Sequence, residues 1–398
     1  MSAAVISGLD RGKAENSSAA AHFGHPARMA VAAIGLRRLA SQRVSAGRFE
    51  HAADVVRWLG ALQAQDYHQA IWAIGSRMQA GTVAKVERAI DERQVVRTWL
   101  MRGTTHFAPP EDVRMLLAIV APRLAAGVAR RREQIGLDET DVARSAELLG
   151  HALSGDRRLS RPEVMGLLED NGVATAGGHG YHILWRLAQG GLICLGPMQG
   201  RQQTFVLLDD WAPRGQASEP GDAVAELAGR FATSRGPVTA HDLARWAGIA
   251  VGDARRGLAA ATGLVTREIG GAEHWLAADG ADAEPAAAER RRTYLLAGFD
   301  EFMLGYKDRD GILAPEHASK VVPGANGVFR PIVVTGGRIV GTWARSATAR
   351  SLAITVRPFA GSGPKLAAQV GAEANRYRAF LGLPASCKPV VSCVGDEA

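Results

Sequence analysis

Cysteine is scarce and scattered here: Cys194, Cys387 and Cys393 are the three in a chain of 398 residues. An odd, dispersed set argues against a disulfide framework and for a reducing interior. Cys387 and Cys393 have no second ligating pair nearby, so no metal is expected. No stretch approaches the ~18 consecutive apolar residues of a membrane helix, and no membrane role is expected. Four catalytic signatures are missing as well: the phosphate-binding P-loop, the dinucleotide fingerprint, the His-Glu-x-x-His helix and the Gly-x-Ser-x-Gly elbow. No bound cofactor is expected either.

What is present is an ordinary core-forming composition, with 47% hydrophobic and 22% charged residues. The length suggests two to four compact units. The net charge is +7, and arginines heavily outnumber lysines, which suits bidentate phosphate contacts. Basicity alone is weak; it becomes informative if the fold gathers the charge on one face. Residues 1–28 are rich in Ala, Ser, Gly and His without periodicity and are expected to be a disordered tail. They lack the apolar core of a signal peptide, and Met29 is a candidate start.

One pattern, helix–turn–helix followed by two strands, occurs three times. The middle copy is clearest. Ser160-Arg161-Pro162-Glu163 reads as a capping box ahead of Val164, Leu167 and Leu168. After Gly177-Gly178-His179-Gly180, a helix is expected from Tyr181 to Gln189, then a strand Leu192–Leu195, a wing over 196–202 and a strand Thr204–Leu208. In the next copy Val224, Leu227, Ala228 and Phe231 keep helical spacing. Thr239 opens a second helix, a third runs from Asp253 to Ala261, and Gly270-Gly271 joins two strands. The first copy is looser: helices at Ala52–Leu59, Tyr67–Met78 and Thr82–Asp91, then strands Val95–Leu100 and Thr105–Ala108 around Arg102-Gly103-Thr104.

The order matches a winged helix, whose second helix enters the major groove. Beyond it, Val328–Val334, Arg338–Trp343 and Leu352–Pro358 read as strands, with Gly336-Gly337 as a hairpin turn and a last helix over Lys365–Leu381. The expected fold is therefore α+β: three tandem winged-helix motifs followed by a small C-terminal β-rich domain. Their boundaries are 29–109, 159–220, 221–290 and 291–398, with a helical spacer over 110–158. Three copies in a basic chain can shape a concave track for duplex DNA.

Carboxylate pairs at Asp209-Asp210, Asp300-Glu301 and Asp308/Asp310 are first read as turns and caps, the first pair most firmly. Gln63-Ala64-Gln65 places two amides at i and i+2, which in an extended segment project to one side. By itself that says little, because turn glutamines are usually solvated.

Three segments carry a resemblance: Leu62-Gln63-Ala64-Gln65-Asp66, the run Arg97 to His106, and the run Phe299 to Arg309, followed by Val328-Phe329-Arg330-Pro331. In this order they resemble the winged-helix family of AlkZ-like DNA glycosylases, over nearly all of the chain from about Leu36 to Leu383. The resemblance implies that Gln63 and Gln65 are catalytic and place a water near the glycosidic carbon. It further implies action on cationic N7-alkylated purines, with bulky adducts and interstrand crosslinks as substrates, in double-stranded DNA. The chemistry is sound: N7 alkylation makes the base a good leaving group, so neutral amides suffice to orient water and stabilise the sugar cation. Asp66 is either an auxiliary carboxylate or the N-cap of the helix at Tyr67.

Candidate DNA contacts are Arg97, Arg102 and His106 around the first hairpin, His179, His182 and Arg186 on the second unit's helix, Arg201 on its wing, and Lys307 and Arg309. Ion pairs or solvated faces are the competing roles for each. The functional alternatives are a transcription regulator and a protein whose winged helices mainly pack on one another. A regulator would normally dimerise on a palindrome, whereas three unequal copies suit a monomer acting on DNA in the cytoplasm.

Overall fold

A computed structural model describes residues 24–135, 137–212, 220–279, 281, 284–360 and 366–395. Most of the expected tail lies outside the described residues; its last part does not, because helix α1 (Gly24–Ser41) includes 24–28. That stretch is alanine-containing, with Pro26 in the first turn, where a missing N–H costs nothing.

The first unit follows as α2 (Ala52–Leu59), β1 (Leu62–Gln63), α3 (Tyr67–Gly75), α4 (Val83–Asp91), β2 (Val96–Trp99) and β3 (Thr105–Ala108). Ala52, Val55, Val56 and Leu59 form the buried stripe of α2, and Gly60 (φ 71°) ends it in a conformation that suits glycine. Asp66 and Thr82 cap α3 and α4 by accepting from the backbone N–H of Gln69 and Lys85. Of the two roles open for Asp66, the cap is the one its carboxylate fills.

After α5 (Val113–Ile135) come α6 (Glu139–Ala152), β4 (Leu159–Ser160), α7 (Arg161–Asp170), α8 (His179–Gln189), β5 (Ile193–Gln199) and β6 (Gln202–Leu207). Glu163 accepts from the Ser160 backbone N–H at 2.7 Å, as the capping-box pattern requires. The expected wing over 196–202 is shorter than the sequence suggested. β5 and β6 pair as far as Gln199 and Gln202, with an irregularity between Leu195 and Met198, so only Gly200 and Arg201 form the tip. Backbone pairing continued past Gly196-Pro197 because a bulge absorbs the proline.

The third unit is α9 (Pro220–Arg235), α10 (Ala240–Ala247), α11 (Val251–Ala260), β7 (Leu264–Ile269) and β8 (Ala272–Ala277), with Val238 bridging to Trp275 of β8. In each unit a short extended segment between the first two helices pairs with the last strand: β1 with β3, β4 with β6, Val238 with β8. Helix α6 packs on α7 and α8 and thus supplies the second unit's first helix.

The remaining elements are β9 (Thr293–Leu296), α12 (Glu301–Leu304), α13 (Ala318–Val321), β10 (Ile332–Thr335), β11 (Arg338–Ala347), β12 (Leu352–Pro358), α14 (Leu366–Phe380) and β13 (Val390–Cys393). They form a five-stranded sheet of order β13-β12-β11-β10-β9, antiparallel except between β12 and β13. The strand expected from Val328 starts only at Ile332, as Pro331 has no N–H to donate to a ladder. Strands β9 and β13 had no sequence expectation.

The first two units share one six-stranded sheet, β1-β3-β2-β5-β6-β4, joined where Arg97 faces Leu195. One hydrophobic core runs through the first unit, the third unit and the C-terminal sheet, while the second unit keeps its own core around Leu149, Leu168, Ile183 and Phe205. Trp72 of α3 and Trp343 of β11 donate to the carbonyls of Leu295 and Leu296 at 2.9 and 2.8 Å. The first bond ties the first unit to the C-terminal sheet, and the second braces that sheet internally.

Candidate active site

Gln63 ends the edge strand β1 opposite His106 of β3. The extended backbone sends Gln63 and Gln65 to one side and buries the Ala64 side chain completely on the other. A small apolar residue between two amides is thus what the local geometry demands.

Four hydrogen bonds fix this strand. The Gln63 N–H donates to Oε1 of Glu301 at 3.2 Å, the Ala64 N–H donates to the Thr105 carbonyl at 2.7 Å, and the Ala64 carbonyl accepts from Arg97 Nε and Nη2 at 3.1 and 2.6 Å. The amides themselves meet: Gln63 Nε2 lies 3.4 Å from Gln65 Oε1, a long hydrogen bond, while Arg102 Nη2 donates to Gln63 Oε1 at 2.8 Å. Gln63 is buried and Gln65 exposed, so the pair spans the passage from core to surface.

Beneath it sits a buried charge network. Glu301 Oε2 accepts from Arg235 Nε and Nη2 at 3.0 and 2.8 Å and from Trp246 Nε1 at 2.8 Å. Next to it Asp300 caps α12 and takes a two-pronged contact from Arg77, at 2.9 and 3.0 Å. Both carboxylates are fully paired, so the Asp300-Glu301 pair holds the architecture around the strand instead of reaching solvent.

Two expected DNA contacts are turned inward. Arg97 is 8% exposed, its guanidinium engaged with Ala64 and with Gln203 Oε1 at 2.6 Å, and burial lowers it to about 10. Nearly buried in the shared sheet with its donors engaged, this side chain braces the strand. His106 is completely buried and its Nδ1 lies 2.9 Å from the Thr104 carbonyl. Burial first, then the Arg102 charge, hold the imidazole down to about 3, so it is neutral.

Others stay within reach of solvent. Arg102 keeps exposed surface, but its guanidinium is partly buried against Gln63 and the Trp246 carbonyl, and that burial lowers it. Lys307 is exposed, whereas Arg309 is half-buried with Nε on the Met303 carbonyl and is lowered to about 10 by burial and by Arg245. Arg186 pairs with Glu139 at 3.2 Å. His179 and His182 are half-buried at the start of α8, and Arg201 is exposed at the β5–β6 tip. Two cations were not anticipated. Exposed Arg245 of α10 acts electrostatically on both Arg102, which touches Gln63, and Arg309. Exposed Arg161 begins α7. Like charges gathered this way favour an anion. Only folding brings these distant positions together, so no sequence window contains the signal.

A cleft of about 430 Å³ opens next to Gln65, bounded by Tyr67, Trp99, Tyr181, Met198, Arg201 and Gln203 among others. Among the described residues no helix is long and apolar enough to cross a membrane.

Comparison with known proteins places the chain in a family. The model of the family described as DNA glycosylase AlkZ-like matches residues 56–380. An interstrand DNA cross-link repair glycosylase from Streptomyces sahachiroi is 29% identical over 311 residues, spanning 73% of this chain and 81% of that protein. The solved structure of the Streptomyces sahachiroi DNA glycosylase AlkZ superposes with a TM-score of 0.75 at 26% identity, covering 92% of this chain and 99% of the other. Each relative is named as a glycosylase and none as a regulator. The match over most of the length, with the two-glutamine strand inside it, shows that this chain belongs to the AlkZ-like DNA glycosylase family.

Proposed function

We propose that this chain is a DNA glycosylase that hydrolyses the N-glycosidic bond of cationic N7-alkylated purines, extending to bulky adducts and interstrand crosslinks. The observation that carries the reading is the converging amide pair, Gln63 Nε2 at 3.4 Å from Gln65 Oε1, on a strand locked by Glu301 and Arg97. Such a pair can hold one water between an acceptor and a donor and aim it at the anomeric carbon.

A glutamine amide is no general base at neutral pH. The reaction must therefore draw its driving force from the leaving group: a purine alkylated at N7 carries positive charge and departs as a neutral base. As the bond lengthens, charge moves to the sugar, where the amide oxygens stabilise it electrostatically. The water loses its proton late, to bulk solvent. Neutral lesions give no such leaving group and are not released.

Each helix–strand–helix–helix–hairpin unit is read as a winged helix, and the shared sheet together with the third unit as one open track for duplex DNA, used by a monomer. Bulky lesions fit an open track better than a closed pocket for an extruded base. The test is base release from duplex DNA carrying N7-methylguanine, comparing the wild type with Gln63→Ala/Gln65→Ala. Release lost in the variant while DNA binding persists is the expected result. No release by the wild type from this or a bulkier N7 adduct would overturn the reading.

A further inference from the structure

We propose that the cleft beside Gln65 receives the neutral aromatic body of a bulky N7 adduct, with Tyr181 selecting for it. The inference rests on the glycosylase reading and deepens it by naming a substrate feature.

The cleft is lined by aromatic and cationic groups together. At about 430 Å³ it lies within the range of roughly 300–1,000 Å³ usual for small-molecule sites. Tyr67, Trp99 and Tyr181 contribute rings, and Tyr181 meets Trp99 edge to face, with centroids 6.4 Å apart and planes at 79°. Trp99 is 7% exposed and belongs to the second core, but Tyr181 is 41% exposed, the one exposed Phe, Tyr or Trp ring among the described residues. An open ring braced by a buried one is a stacking platform, since its own geometry is already fixed.

Charge identifies the occupant. Arg97, Arg161 and Arg201 line the cleft, and among the described residues no Asp or Glu does. Three guanidiniums in the lining disfavour a cationic alkylpurine as the occupant. The reacting base is therefore placed at the glutamines, where the one guanidinium in contact, that of Arg102, is engaged by Gln63 Oε1 and the Trp246 carbonyl. The substituent on that base is under no such penalty: an uncharged aromatic system stacks on Tyr181 and accepts cation–π contact from a guanidinium. Because Gln65 belongs to the same lining, a substituent seated in the cleft leaves its N7-linked guanine next to the amide pair. The rim arginines Arg161 and Arg201 form no ion pair among the described residues and are available to the flanking phosphates.

The test uses two duplexes of one sequence, one with N7-methylguanine and one with a bicyclic aryl group joined to guanine N7 through a methylene. Affinities are measured by fluorescence anisotropy in the Gln63→Ala/Gln65→Ala background, where turnover cannot interfere, and single-turnover release is measured in the active protein. The readout is the ratio of aryl-lesion to methyl-lesion affinity. The ratio is expected to exceed one, to fall about 5- to 100-fold in Tyr181→Ala, the span of aromatic stacking on nucleic-acid-bound rings, and to survive in Tyr181→Phe. A ratio of one in the parent protein overturns the inference, as does a Tyr181→Ala variant that weakens both lesions equally, which would mark a contact with an extruded neutral base or with backbone. Failure of the glycosylase reading shows separately, as wild-type protein that releases neither lesion while the affinity ratio still reports on the cleft.

Discussion

Arg102 Nη2 donates to Oε1 of Gln63 across 2.8 Å, and this contact decides which way the catalytic candidate's amide faces. A guanidinium has donors only, so the atom it meets must be the carbonyl oxygen, and Nε2 is left pointing at Gln65. Arg102 reaches this position from the tip of the β2–β3 hairpin with φ 58°, a left-handed conformation rarely taken by residues other than glycine, and its Nη1 donates to the Trp246 carbonyl of α10. First and third units are thereby tied at the candidate amide.

Arg102→Ala is accordingly expected to slow single-turnover release of N7-methylguanine by about 10- to 100-fold, the cost of a misplaced catalytic group. Arg102→Lys should recover part of the rate through a single donor. Affinity measured against salt separates the alternative: loss of a phosphate contact lowers the log–log slope by about one, whereas loss of amide positioning leaves the slope unchanged.

Glu301 supports the same strand from behind. Its carboxylate is 1% exposed and answers Arg235, Trp246 and the Gln63 N–H. Truncation to Glu301→Ala strands the buried Arg235 charge, and removing one partner of a buried pair costs about 3–5 kcal/mol. Urea unfolding should register a loss of that size, with release falling even where the variant remains folded. A loss under about 1 kcal/mol would mean that water reaches Arg235 and the network is looser than its geometry.

These two contacts also mark the limit of what the sequence discloses. The capping box at Ser160, the helix start at Thr239, the Gly270-Gly271 and Gly336-Gly337 turns and the apolar stripe of α2 are local signals, and the elements they announce appear where expected. Gln63 and Gln65 drew attention only through a family resemblance, since two amides in an extended segment have no periodicity of their own. Arg97 misled because its partners, the Ala64 carbonyl and Gln203, lie 33 and 106 residues away. Nothing near Arg97 in the chain distinguishes a buried strut from a phosphate ligand. Arg245 and Arg161 were overlooked for the converse reason: each looks like an ordinary helix-surface cation until the fold sets it beside the site.

That contrast makes a direct experiment. Arg161→Ala, Arg201→Ala and Arg245→Ala remove exposed cations around the cleft and the glutamines. Each is expected to weaken binding to undamaged duplex and to lower the salt slope by about one, the signature of a lost phosphate contact. Arg97→Ala should instead lower the melting temperature, since it leaves the Ala64 carbonyl unpaired, and should leave the slope alone in protein that remains folded. Equal slopes in all four variants would place the DNA on another face.

Buried His106 is expected to make the fold sensitive to acid. Burial, with help from the nearby Arg102 charge, holds its folded-state value at about 3 against the lesser upward pull of the Thr104 carbonyl, while the unfolded chain titrates near 6.5. Between these values the unfolded state carries the extra proton, so stability falls as pH drops from about 6.5 toward 3 and is unaffected by this group above that window. The loss is on the order of a few kcal/mol, and buried His274, lowered in the same direction chiefly by burial, adds to it. His106→Gln keeps an amide donor for Thr104 and cannot titrate. Urea midpoints measured at pH 7.5, 6 and 4.5 should therefore decline less steeply in this variant than in the wild type, with part of the slope retained through His274. Parallel declines would show that His106 takes up its proton in the folded state, and the hairpin beneath Gln63 would then have to open to water as the solution is acidified.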